Sequence, residues 1–300
     1  MEAAAATDTG RLERVRRTVA LLERRGYAAS PSRLAALCLG GELTEPEVRF
    51  AVAASHGELA EREGLVVTAA MVGRAAAVRR RADHHLEGAA AYLPETVAFV
   101  RRLVELCPFV VSASIAGSLA SGGFLETDDV DLNLVVEDGR RHLAYLAANL
   151  LGYGHALRFR DKPVDASTRR PLAPRLMTLN LVLERSQCFP LARQDEDMAF
   201  ELMQSEPLFG AAFLGQVVTA NAGLTAAFPQ LAAKPVRDLV SVRRRLPRGL
   251  FPRLLDPPAR VLGEAAWRYM QWTRRHSPEA LARVAFVRRT MRPYTLFPNA

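Results

Sequence analysis

Two aspartates set in an apolar run limit what this chain can build. The stretch AGSLASGGFLETDDVDLNLVV, residues 116–136, carries Asp129 and Asp131 one residue apart. Around them Val130, Leu132, Leu134 and Val136 alternate as one side of a strand would. In a strand, residues i and i+2 face the same side, about 6.5–7 Å apart. Asp129 and Asp131 therefore present two carboxylates opposite a buried apolar face. Two converging carboxylates repel each other without a counter-ion. A hard divalent cation, Mg²⁺ or Mn²⁺, removes the conflict and keeps waters and phosphate oxygens as its other ligands. The alternative is a pair of turn residues at the mouth of a strand, which the turn-like Leu125-Glu126-Thr127-Asp128-Asp129 would suit.

A Gly-Ser pair stands upstream. Residues 109–116, FVVSASIA, are a β-branched run that predicts a strand leading into Gly117-Ser118. Glycine lets a backbone approach a ligand closely. Backbone N–H groups and the Ser118 hydroxyl at a turn can hold phosphate oxygens. The order strand, Gly-Ser turn, strand brings this turn and the aspartates to the same end of a sheet. Together they predict a metal clamp on a nucleoside triphosphate.

Gly117-Ser118, ten residues, then Asp129-Val130-Asp131-Leu132 resembles the core of the DNA polymerase β-type nucleotidyltransferase superfamily. The resemblance implies transfer of a nucleoside monophosphate from an NTP to an acceptor, with Mg²⁺ or Mn²⁺ as cofactor. It implies Asp129 and Asp131 as metal ligands and Gly117 and Ser118 as triphosphate contacts. The wider layout is similar to uncharacterised bacterial nucleotidyltransferase-domain proteins with a winged-helix-like start, a strand like MTLNLVLE, and a helical tail with EPLFG and TANAGL. The superfamily commonly carries a third carboxylate on a later strand, and here the matching position in LMTLNLVLE is Asn180. Asparagine can offer a metal its carbonyl but cannot accept a proton as a base. Glu184 shares that strand face but lies about 13 Å along it. Asp161 and Asp165 are the other carboxylates that could fold back toward the site.

Elsewhere the sequence divides into four stretches. Residues 1–75 predict a helical, winged-helix-like module. It has a helix over 11–27, a second opened by Ser30-Pro31, and a third opened by the capping box Thr44-Glu45-Pro46-Glu47. The third runs to about Arg62, Glu63-Gly64 ends it, and LVVTAAMV is a strand with a short return. Arg49 and Arg62 alone make that third segment poor for reading DNA. Residues 76–108 form a helical connector broken near Pro94, with His84 and His85 facing solvent. Residues 109–200 are the nucleotidyltransferase-like core, whose strands include ALRFR and RLMTLNLVLE. Residues 201–300 are a basic helical region with loops at Pro229, Pro247 and Pro257-Pro258. The fold class is α/β (α+β), a mixed sheet with flanking helices.

Composition narrows the partners. Apolar residues make up 49% and charged residues 24%, ordinary for a globular chain. No apolar run reaches the roughly 18 residues of a membrane span, and the opening residues predict no secretory leader. Cys38, Cys107 and Cys188 lack CxxC spacing, which points to a reducing, cytoplasmic setting. The net charge of +8 is concentrated late in the chain: residues 201–300 hold 15 Lys and Arg against 6 Asp and Glu. Nucleic acid is thus a candidate partner beside the NTP, while acceptor and oligomeric state stay unread. Both lysines, Lys162 and Lys234, precede proline, so no P-loop is present. Arg158, Arg160 and Lys162 either meet a triphosphate or line a solvated edge strand. Two functions follow: a metal-dependent nucleotidyltransferase, or a catalytically silent relative that senses nucleotide or binds DNA.

Overall fold

The structure is a computed structural model that describes residues 2–163, 176–234 and 237–297. The chain begins with α1 (Glu2–Glu23), α2 (Pro31–Ala36) and α3 (Glu45–Ala53). A hairpin of β1 (Leu59–Arg62) and β2 (Leu65–Thr68) precedes the long α4 (Ala75–Leu106). Then come β3 (Val110–Ala116), α5 (Gly117–Ser121), β4 (Val130–Val136), α6 (Arg141–Ala156) and β5 (Met177–Glu184). The remainder is α7 (Glu196–Gln204), β6 (Glu206–Phe209), α8 (Ala211–Ala220), α9 (Ala222–Ala227), α10 (Asp256–Arg274) and α11 (Pro278–Thr290). The fold is mixed α/β of the α+β kind. Two compact units result. One holds residues 1–86, 193–204 and 221–235, and the other 87–192, 205–220 and 236–300.

In the first unit, Val15, Val19 and Leu22 are buried on one face of α1, as their spacing predicts. Ser30 caps α2 by accepting a hydrogen bond from the Arg33 amide at 3.3 Å. Glu47 accepts from the Thr44 amide at 2.8 Å and holds the start of α3. The third helix stops at Ala53, short of Arg62, and Leu59–Arg62 is a strand instead. It pairs antiparallel with β2, Leu59 opposite Thr68 and Arg62 opposite Leu65. Glu63 and Gly64 both take positive φ, 52° and 70°. That is the type I′ hairpin turn, whose twist matches the strands it joins. Three helices followed by a two-stranded hairpin is the element order of a winged helix.

The second unit is built on one four-stranded sheet in the order β5-β4-β3-β6. β3 runs antiparallel to β4 and β6, and β4 runs parallel to β5. Val130, Leu132, Leu134 and Val136 are buried on one face with Phe99, Leu103, Ala113, Ile115 and Ala148. That face is the core, and it orients the other. Four expectations need correcting. Pro94 lies inside α4 and does not break it. Phe99, Val100, Leu103 and Val104 anchor the following turns in the core, and the Thr96 hydroxyl donates to the Tyr92 carbonyl at 2.7 Å. ALRFR closes α6 and continues as a 3₁₀ turn over Leu157–Phe159 rather than a strand. Glu206–Phe209, expected to be helical, is the sheet's edge strand beside β3. Pro257 and Pro258 are the first turn of α10, where their missing amides cost nothing.

Candidate functional site

The site starts from one close approach. Gly117, directly after β3, has φ +60°. A Cβ there would come to 3.0 Å from the Asp131 Cβ and Cγ, and nearer still to Oδ2. Glycine is therefore required twice, by the left-handed backbone and by the Asp131 carboxylate over its Cα. The register explains the contact, since Ala116 is the β3 partner of Asp131. The chain turns out of β3 at the point where that carboxylate stands. Ser118 follows in the short α5 and is buried, its carbonyl accepting from the Gly122 and Gly123 amides at 3.2 and 3.0 Å.

On its other side Asp131 meets β5. Its partner in the parallel ladder is Thr178, whose hydroxyl donates to Asp131 Oδ1 at 2.8 Å. Asn180, the position that the motif resemblance singles out, lies one step further along. The ladder shifts between Leu132 and Asn133, whose β5 partners are Leu179 and Leu181. Asn180 is thus the extra residue of a bulge, and its amide donates to Asn133 Oδ1 at 3.4 Å. Asn133 is buried opposite Ser114. The face therefore carries Asp131 and Thr178 in one row and Ser114, Asn133 and Asn180 in the next.

The expectation that Asp129 and Asp131 share one strand face is corrected for Asp129, which sits one residue before β4, at the end of a turn. The Leu125 amide donates to Asp128 Oδ2 at 3.2 Å within that turn. Lys162 closes it: Nζ donates to the carbonyls of Glu126 at 2.5 Å and Asp128 at 2.8 Å. Lys162 is only 8% exposed, and Nζ lies 5.5 Å from the centroid of the Tyr92 ring. Burial pushes its ammonium below the ordinary lysine range, while Asp129, Asp128 and Glu126 pull the other way. The solvated-edge expectation for this segment is corrected for Lys162, which is buried. Arg158 pairs with Glu95 at 3.5 Å.

The other carboxylates stand elsewhere or cannot be placed. Glu184 accepts from the Gly139 amide at 2.9 Å, at the opposite end of β4. Asp161 is exposed beside Lys162, and Asp165 lies outside the described residues. His84 Nδ1 lies 2.7 Å from the Arg80 carbonyl, within its own helix. His85 is half-buried rather than solvent-facing, and burial, then Arg33, lowers its pKa. Burial pushes the Cys107 and Cys188 thiols up to about 12, far from nucleophilic use at neutral pH.

Thr178 is a residue of the site that the sequence reading does not name, and Lys162 is one that it names only as a triphosphate contact or a solvated edge residue. Thr178 stands two before Asn180 in the same strand alternation, which was the available signal. Lys162 had a signal too, as one of two lysines among 40 basic residues.

The donor set fits a hard divalent cation. Asp129 and Asp131 would supply carboxylate oxygens, each with more than one lone-pair direction. Among the described residues no group of three or more His, Cys, Asp and Glu side chains is placed to hold a metal ion. Mg²⁺ characteristically uses one or two carboxylates, with water and phosphate as the rest. Among the described residues no helix is long and apolar enough to cross a membrane. Comparison with protein-family models, curated proteins and solved structures returned no match to this chain.

Proposed function

We propose that this protein moves a nucleoside monophosphate from an NTP to an acceptor, using Mg²⁺ or Mn²⁺ at Asp129 and Asp131. The observation that carries the reading is the seating of Gly117 against the Asp131 carboxylate. It makes the Gly-Ser turn and the aspartate strand parts of one site, where a triphosphate and its metal would have to meet. Thr178 fixes the rotation of the Asp131 carboxylate. The backbone of the Gly117–Ser118 turn offers N–H groups to phosphate oxygens. A bound divalent cation would neutralise phosphate charge as pyrophosphate leaves. At the position of the superfamily's third carboxylate stands Asn180, which is neutral and donates to Asn133. An acceptor that needs little activation suits this reading.

The Asn133–Asn180 pair also favours a second reading, a catalytically silent protein that binds nucleotide and metal as a signal. One experiment separates the two. Purified protein is incubated with each α-labelled NTP, Mg²⁺ or Mn²⁺ and a cell lysate. Label is then sought in protein, RNA and small-molecule fractions. The control is the Asp129→Asn/Asp131→Asn double variant. Label that depends on both aspartates supports transfer and names the nucleotide. Saturable NTP binding that depends on them, without label, supports the silent reading.

A further inference from the structure

We propose that Lys162 is a positioning residue of this site. Its ammonium ties down the Glu126–Asp128 turn and so sets Asp129 beside Asp131. The inference rests on the metal-dependent reading above and adds a residue to it.

The geometry is specific. Lys162 lies 34 and 36 residues from the carbonyls it binds, at 2.8 and 2.5 Å. Those carbonyls belong to Asp128, adjacent to Asp129, and to Glu126. The side chain is buried, and its Nζ is 5.5 Å from the Tyr92 ring centroid. Tyr92 in turn packs on Phe124, with centroids 5.3 Å apart, just before the turn. A buried charge is retained only where it is paired or hydrogen-bonded. Two backbone carbonyls and three nearby carboxylates, Asp129 among them, supply that here.

A turn of this kind, beginning three residues after the glycine pair at 122 and 123, has many conformations in reach. Asp129 precedes the first ladder residue of β4, so the sheet does not by itself fix its direction. Asp131 differs, being held by strand pairing, Gly117 and Thr178. Lys162 gives the Asp129 limb the support that Asp131 has from the sheet. Its charge also offsets Asp129, Asp128 and Glu126.

The choice of lysine fits this role. Of 40 basic residues only Lys162 and Lys234 are lysine. Lys234 likewise donates to two backbone carbonyls, Leu202 and Met203, at 3.3 and 2.9 Å. A compact ammonium on a flexible stem aims three rotatable donors at such carbonyls.

The test compares wild type, Lys162→Met, Lys162→Arg and Asp131→Asn as full-length proteins. Mn²⁺ binding is titrated, hydrogen exchange is followed in the peptide covering residues 125–130, and label transfer is measured against Mn²⁺ concentration. Expected for Lys162→Met are Mn²⁺ binding weaker by about 10-fold to 100-fold and faster exchange in 125–129 but not in β3 or in the rest of β4. Its transfer recovers at high Mn²⁺, which a merely structural defect would not allow. Lys162→Arg does not restore the wild-type affinity. If Lys162→Met does not fold, Lys162→Gln, which can still donate to one carbonyl, carries the same comparison. Wild-type Mn²⁺ affinity in the Lys162 variants, or unchanged exchange in 125–129, overturns the proposal. If wild type and Asp131→Asn both fail to bind Mn²⁺, the metal reading falls and this inference with it.

Discussion

On α3 in the first unit, Arg49 is held by Glu45 at 2.9 Å and by Glu61 of the hairpin. Glu47 closes the helix start, and Glu23 accepts from the Thr68 amide and hydroxyl at 2.7 and 2.8 Å. Each of these charges has an evident task in the fold of its own unit. At the Asp131 end of the sheet in the second unit the case is different. An apolar or hydroxyl side chain at 131 would serve the strand equally well. The carboxylate there forces a glycine into the preceding turn and recruits Thr178. A region whose charges are consumed by its own fold gives little ground for a ligand. A region that bends its fold around a charge gives more.

Glycine substitution sharpens the contrast most. Gly117 and Gly64 both have positive φ, +60° and +70°. A Cβ at 64 meets nothing within 4 Å, whereas at 117 it meets the Asp131 carboxylate. Gly64→Ala is expected to cost about 1–2 kcal/mol through backbone strain and to leave transfer unchanged. Gly117→Ala adds a displaced carboxylate, and transfer is expected to fall about 100-fold, the scale of a 1 Å misplacement. Thermal denaturation and label transfer, run on both variants, check this. Equal activity losses at the two positions would remove the special status of Gly117.

The next effect concerns how helices are capped. In the first unit the cap of α3 is local, Thr44 and Glu47 three residues apart. In the second, α6 is capped from far along the chain. Asp256 Oδ1 accepts from the His142 and Leu143 amides at 2.8 and 2.9 Å, and Oδ2 lies 2.7 Å from His142 Nδ1. Asp256→Ala removes a charged acceptor from two amides and is expected to cost about 2–3 kcal/mol. Burial of Asp256 opposes its ionisation, but the bonds from His142 and Leu143 outweigh it and its pKa is lowered. A carboxyl lowered in the folded state stabilises above its unfolded pKa, about 3.9. That stabilisation is lost as pH falls through the folded value. Wild type should thus exceed Asp256→Ala in stability at pH 6 by the full margin, with the gap closing below about pH 4. A gap that persists unchanged at pH 2 would mean the carboxylate is not its source.

Thr178→Val tests the missed residue. It removes the donor to Asp131 Oδ1 while keeping volume and β-branching. Metal affinity is expected to fall about tenfold, with stability within about 1 kcal/mol of wild type. Mn²⁺ titration reads the first and denaturant melts the second.

What the sequence disclosed and what it withheld follow the same division of local from distant. The caps at Ser30 and Thr44, the strands around Val110–Ala116 and Val130–Val136, and Gly117 beside the aspartates are set by neighbours in the chain. Periodicity and turn chemistry report such neighbours. The pattern over β1 predicts helix because its partner, β2, lies beyond a turn whose Glu63 is not a characteristic left-handed residue. Glu206–Phe209 is four residues long and owes its state to β3, nearly a hundred residues earlier. Pro94 stays helical because Phe99, Val100, Leu103 and Val104 are anchored by the core. For the site, Asp131 and Gly117 were legible from spacing. Thr178 and Lys162 were not, since β-sheet register and a contact across 34 residues decide them. The bulge moved Asn180 to Asn133.

The smallest expected effect bears on the DNA-binding alternative. Duplex binding through α3 would need a cation that can leave its present partners, and Arg49 is shared between Glu45 and Glu61. Its neighbours on the helix, Glu45 and Glu47, would repel phosphate. Deleting residues 1–75 would not test this well, because the first compact unit also contains residues 193–204 and 221–235. Arg49→Ala leaves that unit complete. The ion pairs are exposed and worth about 0–1 kcal/mol together, so the melting curve should barely move. Retention on random duplex DNA should also be unchanged across a salt series. A phosphate contact contributes about 0.9 to the slope of log affinity against log salt. A slope lower by that amount in Arg49→Ala would make α3 a DNA-contacting helix despite its acids. It would also remove the contrast between a unit whose charges serve its own fold and one that bends its fold around a charge.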